Sequence, residues 1–152
     1  MLIRKIFLED LPEVSELCLD AFMGSVATTV SDEGIHTFRD IASIDSFEKR
    51  MNEDNEILIF QQGQTIQGVI ELKEGRHIAM LFVKPDAQRQ GVGRALMEAI
   101  RPMTRTQELT VSASLSSVSA YACFGFQCAG GVAESAGLKY QPMILNLTDS
   151  KY

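Results

Sequence analysis

Residues 83–97 read VKPDAQRQGVGRALM, with Gly91 and Gly93 one residue apart where an apolar run gives way to a helix-like pattern. The apolar run upstream is HIAMLFV, 77–83. Pro85 ends it, because proline has no N–H to give to a strand ladder. Downstream, GVGRALMEAIR, 91–101, sets Val92, Ala95, Leu96 and Ile100 on one face of a predicted helix. The first-turn amides of such a helix have no internal partners, and the helix dipole adds partial positive charge there. Glycines at 91 and 93 remove side chains that would hold a bulky anion away, so the turn predicts a phosphate seat flanked by Arg89 and Arg94. A glycine pair at a helix start also reads as a plain turn. Two common phosphate loops are excluded by spacing: the third glycine of GxGxxG is Leu96 here, and GxxxxGK[ST] does not occur.

Upstream of that turn, EILIFQQ (56–62), TIQGVIEL (65–72) and HIAMLFV (77–83) are strand-like, linked by turns at Gly63-Gln64 and Glu74-Gly75. They predict an antiparallel meander. LIRKIF, 2–7, predicts a first strand; Asp10 then caps a helix with Pro12 in its first turn and Leu11, Val14, Leu17, Cys18 and Phe22 along one face. Residues 23–45 are ambiguous, with a short helix near 32–42, and SFEKRMN predicts a helix over 46–52. Downstream, ELTVSAS (108–114) is a strand, SSVSAYACF a short helix stopped at Gly125, and FQCAG with KYQPMILNL (139–147) a closing pair of strands. This order predicts a mixed α/β or α+β fold.

The chain of 152 residues fits one domain, expected to span 1–152. A net charge of −6 argues against a nucleic-acid partner. The charge is uneven: residues 84–105 carry five bases and two acids, a basic patch on an acidic body that suits an anionic ligand at one spot. Cys18, Cys123 and Cys128 form no CxxC pair and are odd in number, so neither a disulfide framework nor a metal site is expected. No apolar run approaches the roughly 18 residues of a membrane span. The N-terminal MLIRKIFLEDLPE has acids where a signal peptide would be apolar, so a cytoplasmic protein with no membrane partner is expected.

The stretch VKPDAQRQGVGRALM resembles the V-x-P-x-x-[QR]-x-x-G-x-[GA] motif of the GNAT superfamily of N-acetyltransferases, matching at Val83, Pro85, Gln88, Gly91 and Gly93. A second element of that family, Y-x-x-x-G-F, is matched by Tyr121, Gly125 and Phe126. The resemblance implies a central, mostly antiparallel twisted sheet of six or seven strands, splayed in the middle and flanked by about four helices. It implies an acetyltransferase moving an acetyl group from acetyl-CoA, a cosubstrate, to a primary amine by direct attack in a ternary complex. The pyrophosphate would rest on the amides of Gln88, Arg89, Gln90, Gly91, Val92, Gly93 and Arg94, and the pantetheine arm along Leu81, Phe82 and Val83. Tyr121 would be the general acid at the departing sulfur. Many members have an asparagine seven residues before that tyrosine; Ser114 stands there and keeps one hydrogen-bonding group. The base is open between His77, whose ordinary pKa near ~6.5 suits proton uptake at neutral pH, and Glu71, acting through a water. Simple alternation sets His77 on the side of Ala79 and Leu81. The resemblance gives Cys123 and Cys128 no nucleophilic role.

Acceptor choice is expected in residues 22–50 and in AGGVAESAGLK, 129–139. The acceptor is a small-molecule or peptide amine, and the acidic balance favours a cationic one. A homodimer is compatible with the chain. A non-catalytic acyl-CoA-binding or sensing domain stays open as a second reading, and a nucleotide-binding structural module as a third.

Overall fold

The computed structural model describes residues 2–25 and 30–149; residues 26–29, within the predicted acceptor segment 22–50, lie outside the described residues. The elements in order are β1 (Leu2–Lys5), α1 (Leu11–Ser25), α2 (Asp32–Ile41), α3 (Ile44–Met51), β2 (Asn55–Gln62), β3 (Thr65–Lys73), β4 (His77–Val83), α4 (Val92–Ile100), β5 (Glu108–Ser114), α5 (Val118–Cys123), β6 (Gln127–Cys128), β7 (Ala133–Ser135) and β8 (Leu138–Asn146). The strands form one sheet in the order β1-β2-β3-β4-β5-β8-β6, with β7 also paired to β8. Every pairing is antiparallel except β4 with β5. The described residues thus hold eight strands and five helices, β6 and β7 being only two and three residues long.

Each helix buries the face its apolar spacing marks. On α1, Leu11, Val14, Leu17, Cys18, Ala21 and Phe22 are buried; on α4, Val92, Leu96, Met97 and Ile100 are. Burying each of the larger side chains contributes roughly 2 kcal/mol. Ser31 caps α2 by accepting from the Gly34 amide, and Ser43 caps α3 by accepting from the Ser46 amide. Asp10 does not cap α1. The chain enters α1 through a 3-10 turn, Leu8–Asp10, and the Asp10 carboxylate reaches back to the Phe7 amide (2.7 Å) and the Arg4 guanidinium (2.8 and 3.0 Å).

Two apolar clusters lie on opposite faces of the sheet. One joins Leu58, Phe60, Ile70, Leu72 and Ile78 to α4, Tyr121 and Phe126. The other joins Ile57, Ile59, Val69 and Met80 to α1, Phe38 and Phe47. Gly68 lets α4 settle on β3: a Cβ there would come within 2.8 Å of Val92 Cγ1 and 3.0 Å of Leu96 Cδ1.

The pairing of β3 with β4 slips once. Glu71 faces Met80 and Leu72 faces Ile78, leaving Ala79 with no partner on β3. This bulge turns the strand over locally. Ile78 and Met80, two apart, consequently belong to clusters on opposite faces. The expected side for His77 holds for Ala79, which borders the same cavity, and is corrected for Leu81, which beyond the bulge packs on the α4 side.

The sheet is also split. Strand β4 pairs with β5 only at His77↔Thr110 and Ile78↔Val111. From Met80 onward β4 is paired with β3 alone, while β5 continues to Ser114 paired with β8.

Candidate active site

The split, the glycine turn and a cavity on the opposite face together make the candidate site. The turn is built by local bonds. Lys84 donates to the Gln67 carbonyl (2.8 Å), and Ala87 donates to the Lys84 carbonyl (2.8 Å). The Gln88 side-chain amide donates to the Val83 carbonyl (3.1 Å), and that of Gln90 to the Asp86 carbonyl (3.3 Å). Both glutamine side chains brace the loop. Gly91, at the N-cap of α4, has φ +87, and a Cβ there would meet nothing within 4 Å. Glycine is favoured by the left-handed backbone, and the space above it is open. The first helical bond runs from Ala95 to the Gly91 carbonyl. Among the described residues the amides of Gln88 through Arg94 meet no backbone acceptor.

A Cβ on Gly93 would make ordinary contact with Val83 Cγ2 (3.7 Å) and Phe124 Cζ (3.8 Å). The cations have distinct settings. Arg89 is exposed at the loop tip with φ +65. Arg94 lies over the Phe124 ring, 5.7 Å from its centroid. Among the described residues neither is within salt-bridge distance of a carboxylate.

Tyr121 is buried on α5, edge-on to Phe124 (5.9 Å) and Phe126 (5.4 Å). It shares an apolar cluster with Val111 and Ala113 of β5, against which Leu81 and Val83 pack. Burial pushes its phenol pKa up, so the proton stays on oxygen at neutral pH. Ser114, at the end of β5, shares its hydroxyl with Ser117 (2.9 Å) and Ser116 (3.4 Å), within the turn leading to α5.

On the α3 side of the sheet lies a cavity of about 330 Å³ bordered by Ile41, Arg50, Asn55, Lys73, His77 and Met80, with Glu53, Glu71 and Ala79. His77 is half-buried, and its Nδ1 lies 2.8 Å from Thr110 Oγ1. Burial first, then the charges of Arg76 and Lys73, hold its pKa below the ordinary histidine value, so the ring is neutral at pH 7. Glu71 borders the same cavity, yet its side chain has no exposed surface. Arg50 Nε donates to both of its oxygens (3.1 and 2.9 Å), and Asn55 Nδ2 donates to Oε2. Arg50 also donates to the Ile41 carbonyl (2.9 Å) and stacks on Phe47, 4.6 Å from the centroid. Its Nη2 is buried and unpartnered among the described residues.

The structure thus gathers His77, Glu71, Arg50 and Asn55 at the cavity, while Gln88–Arg94 lie beyond the other end of β4. Sequence reasoning did not single out Arg50, Asn55, Thr110 or Met80. Arg50 sits in an ordinary charged helix, and only the tertiary pairing with Glu71 marks it. The two predicted acceptor segments do touch: Thr37 on α2 donates to the Ala136 carbonyl (2.7 Å), and Gly34 packs against Gly137.

The family of the acetyltransferase (GNAT) domain matches residues 26–147. The chain belongs to this family of acetyltransferases. No curated protein matches the sequence. Among solved structures, the chain is similar to a GCN5-related N-acetyltransferase from Rhodopseudomonas palustris, at TM-score 0.84 and 23% identity over 96% of this chain and 95% of that one. It is also similar to the PaiA N-acetyltransferase of Thermoplasma acidophilum in complex with coenzyme A, at TM-score 0.77 and 21% identity over 95% and 98%. An aminoglycoside 6'-N-acetyltransferase complexed with coenzyme A aligns at TM-score 0.66 and 11% identity over 97% of each chain. At these identities the likeness is one of fold. No helix among the described residues is long and apolar enough to cross a membrane.

Proposed function

We propose that this protein, acting as a single domain, is an acetyl-CoA-dependent N-acetyltransferase whose acceptor is a small-molecule amine. The observation that carries the reading is the row of unpartnered amides from Gln88 to Arg94, opened by Gly91 at the end of a strand that has parted from its neighbour. Such a row suits a diphosphate, and the unpaired Arg89 and Arg94 add charge. The edge of β4 from Leu81 to Val83 suits an amide-bearing arm. The cavity volume favours a small molecule over the surface of a folded protein. Its walls carry both signs, Arg50 and Lys73 against Glu53 and Glu71, so charge alone does not demand a cationic acceptor.

In this reading the amine enters from the α3 side and meets the thioester carbonyl in the split. His77 takes the proton from the nitrogen, whose lone pair attacks the carbonyl carbon. An alkylammonium in water has a pKa near ~10, and partial burial in the cavity lowers it toward that of the imidazole. The carbon–sulfur bond breaks and sulfur leaves as thiolate, stabilised by a hydrogen bond from Tyr121; the thiolate then takes the remaining surplus proton from the acylated nitrogen and departs as the free thiol. A thiol of pKa about 8.5 is a stronger acid than the buried phenol, so Tyr121 keeps its proton and acts by donation. Glu71, closed from solvent by Arg50 and Asn55, holds Arg50 rather than taking a proton.

Two measurements test this. A ligand at 100 times its Kd stabilises the folded state by about 2.7 kcal/mol. Acetyl-CoA is expected to raise the melting temperature while ATP does not. Release of free thiol with a panel of small amines is expected; binding of acetyl-CoA with no turnover on any amine would favour the non-catalytic sensor.

A further inference from the structure

We propose that Thr110 is a positioning residue that fixes the tautomer of His77, holding the proton on Nδ1 and leaving the Nε2 lone pair for the acceptor amine. This rests on the reading of His77 as the base. The pair stands at the fork of the sheet. His77↔Thr110 and Ile78↔Val111 are the only pairings of β4 with β5 among the described residues, and the strands part immediately beyond. Thr110 Oγ1 is 2.8 Å from His77 Nδ1 and 3.3 Å from the Arg76 carbonyl. That carbonyl already accepts from the Thr110 amide (3.0 Å) and has a second lone pair to give.

A hydroxyl has one proton. If it goes to the Arg76 carbonyl, Oγ1 accepts from Nδ1–H and both short contacts are hydrogen bonds. If it goes to Nδ1, the contact with Arg76 is lost and Nε2 carries the proton. The first arrangement makes one bond more. It also suits the reaction: the imidazolium formed on proton uptake must carry a proton on Nδ1, and Oγ1 is already oriented to accept from it. The second arrangement would need the hydroxyl to turn at the moment of transfer. The hydrogen bond made by one ring nitrogen sets the role of the other.

The charged groups around the ring are Glu71 and Lys73 on β3, Arg76 in the preceding turn, and Arg50 and Glu53 from α3 and the link that follows it. None of them reaches Nδ1 among the described residues, so Thr110 is its one partner.

The test uses the full chain with His77 labelled with nitrogen-15. Above the pKa of the ring, the spectrum is expected to show Nδ1 protonated and Nε2 bare. In Thr110→Val, which keeps the shape, the tautomers should mix and kcat/KM should fall about tenfold. The acidic limb of the pH–rate profile should move to lower pH, because the imidazolium loses an acceptor. Thr110→Ser should restore both, and acetyl-CoA affinity should be unchanged in both variants. A protonated Nε2 in the unaltered protein overturns the proposal, as does a Thr110→Val variant with the original tautomer and limb. Full activity in His77→Gln would overturn the assignment of the base itself; the spectrum reads the tautomer independently of activity.

Discussion

Two groups at the cavity on the α3 side of the sheet are candidates for the base, His77 and Glu71, and their surroundings separate them. Glu71 has no exposed surface and binds Arg50 through both oxygens. Removing one partner of a buried pair leaves the other charge uncompensated, a loss on the order of 3 kcal/mol. Glu71→Ala is therefore expected to lower the urea midpoint strongly with m unchanged, an effect on folding before any on chemistry. A variant of unaltered stability would show that Arg50 finds another partner. Tyr121 gives the opposite pattern. Its ring packs on Phe124 and Phe126, and Tyr121→Phe keeps that packing while removing only the oxygen. Stability and acetyl-CoA affinity should hold, while kcat for thiol release falls roughly a hundredfold, the usual loss for one preorganised donor. Unchanged kcat would remove Tyr121 from the reaction.

At the scale of elements, α4 and its glycine turn make a sharper experiment than a single large substitution. Gly91 has φ +87, so most side chains there are strained by about 1–2 kcal/mol. Asparagine and aspartate tolerate that backbone best and differ in charge. Gly91→Asp is expected to bind acetyl-CoA at least about tenfold more weakly than Gly91→Asn, a gap of roughly 1.4 kcal/mol that calorimetry resolves. Equal affinities would mean that no anion sits over α4. Much of this region was legible in the sequence. HIAMLFV and ELTVSAS are the strands observed, residue for residue, and the helix after the turn begins one residue later than read. The bulge at Ala79 was not legible. From Ile78 to Val83 every residue of β4 is apolar, although only Ile78 and Met80 are buried, so one extra residue leaves no break in the sequence pattern. The consequence was that Leu81 was set on the side of His77. The pairing of Arg50 with Glu71 joins positions 21 apart in sequence and exists only once α3 lies on the sheet. The close packing of α4 on Gly68 of TIQGVIEL, against Val92 and Leu96, was likewise not singled out in the sequence.

For the whole molecule, the pH dependence of stability separates the site from the scaffold. The folded-state pKa of His77 is lowered, chiefly by burial. An unfolded histidine titrates near ~6.5. Above that pH both states are neutral at this residue, and its contribution is fully present. As pH falls below it, the unfolded chain binds the proton first, so stability drops until the folded-state pKa is passed. Asp10, held low by its hydrogen bonds with Arg4, follows the same sign in a lower window: its contribution is present above the unfolded carboxylate pKa and lost as pH falls through the folded one. The two windows begin at different points, near the unfolded pKa values of ~6.5 and ~3.9. Urea midpoints measured from pH 7.5 downward should therefore fall in two stages. His77→Gln is expected to flatten the upper stage and spare the lower, while Asp10→Asn does the reverse. On the proposed role of His77, the acidic loss of acetyl transfer should centre on its folded-state pKa, at the low-pH end of the upper stage, since the folded imidazole must be neutral to accept a proton from the amine. A variant lacking His77 that kept the full upper stage would place the acid-sensitive group elsewhere in the fold and detach the pH profile of the reaction from this residue.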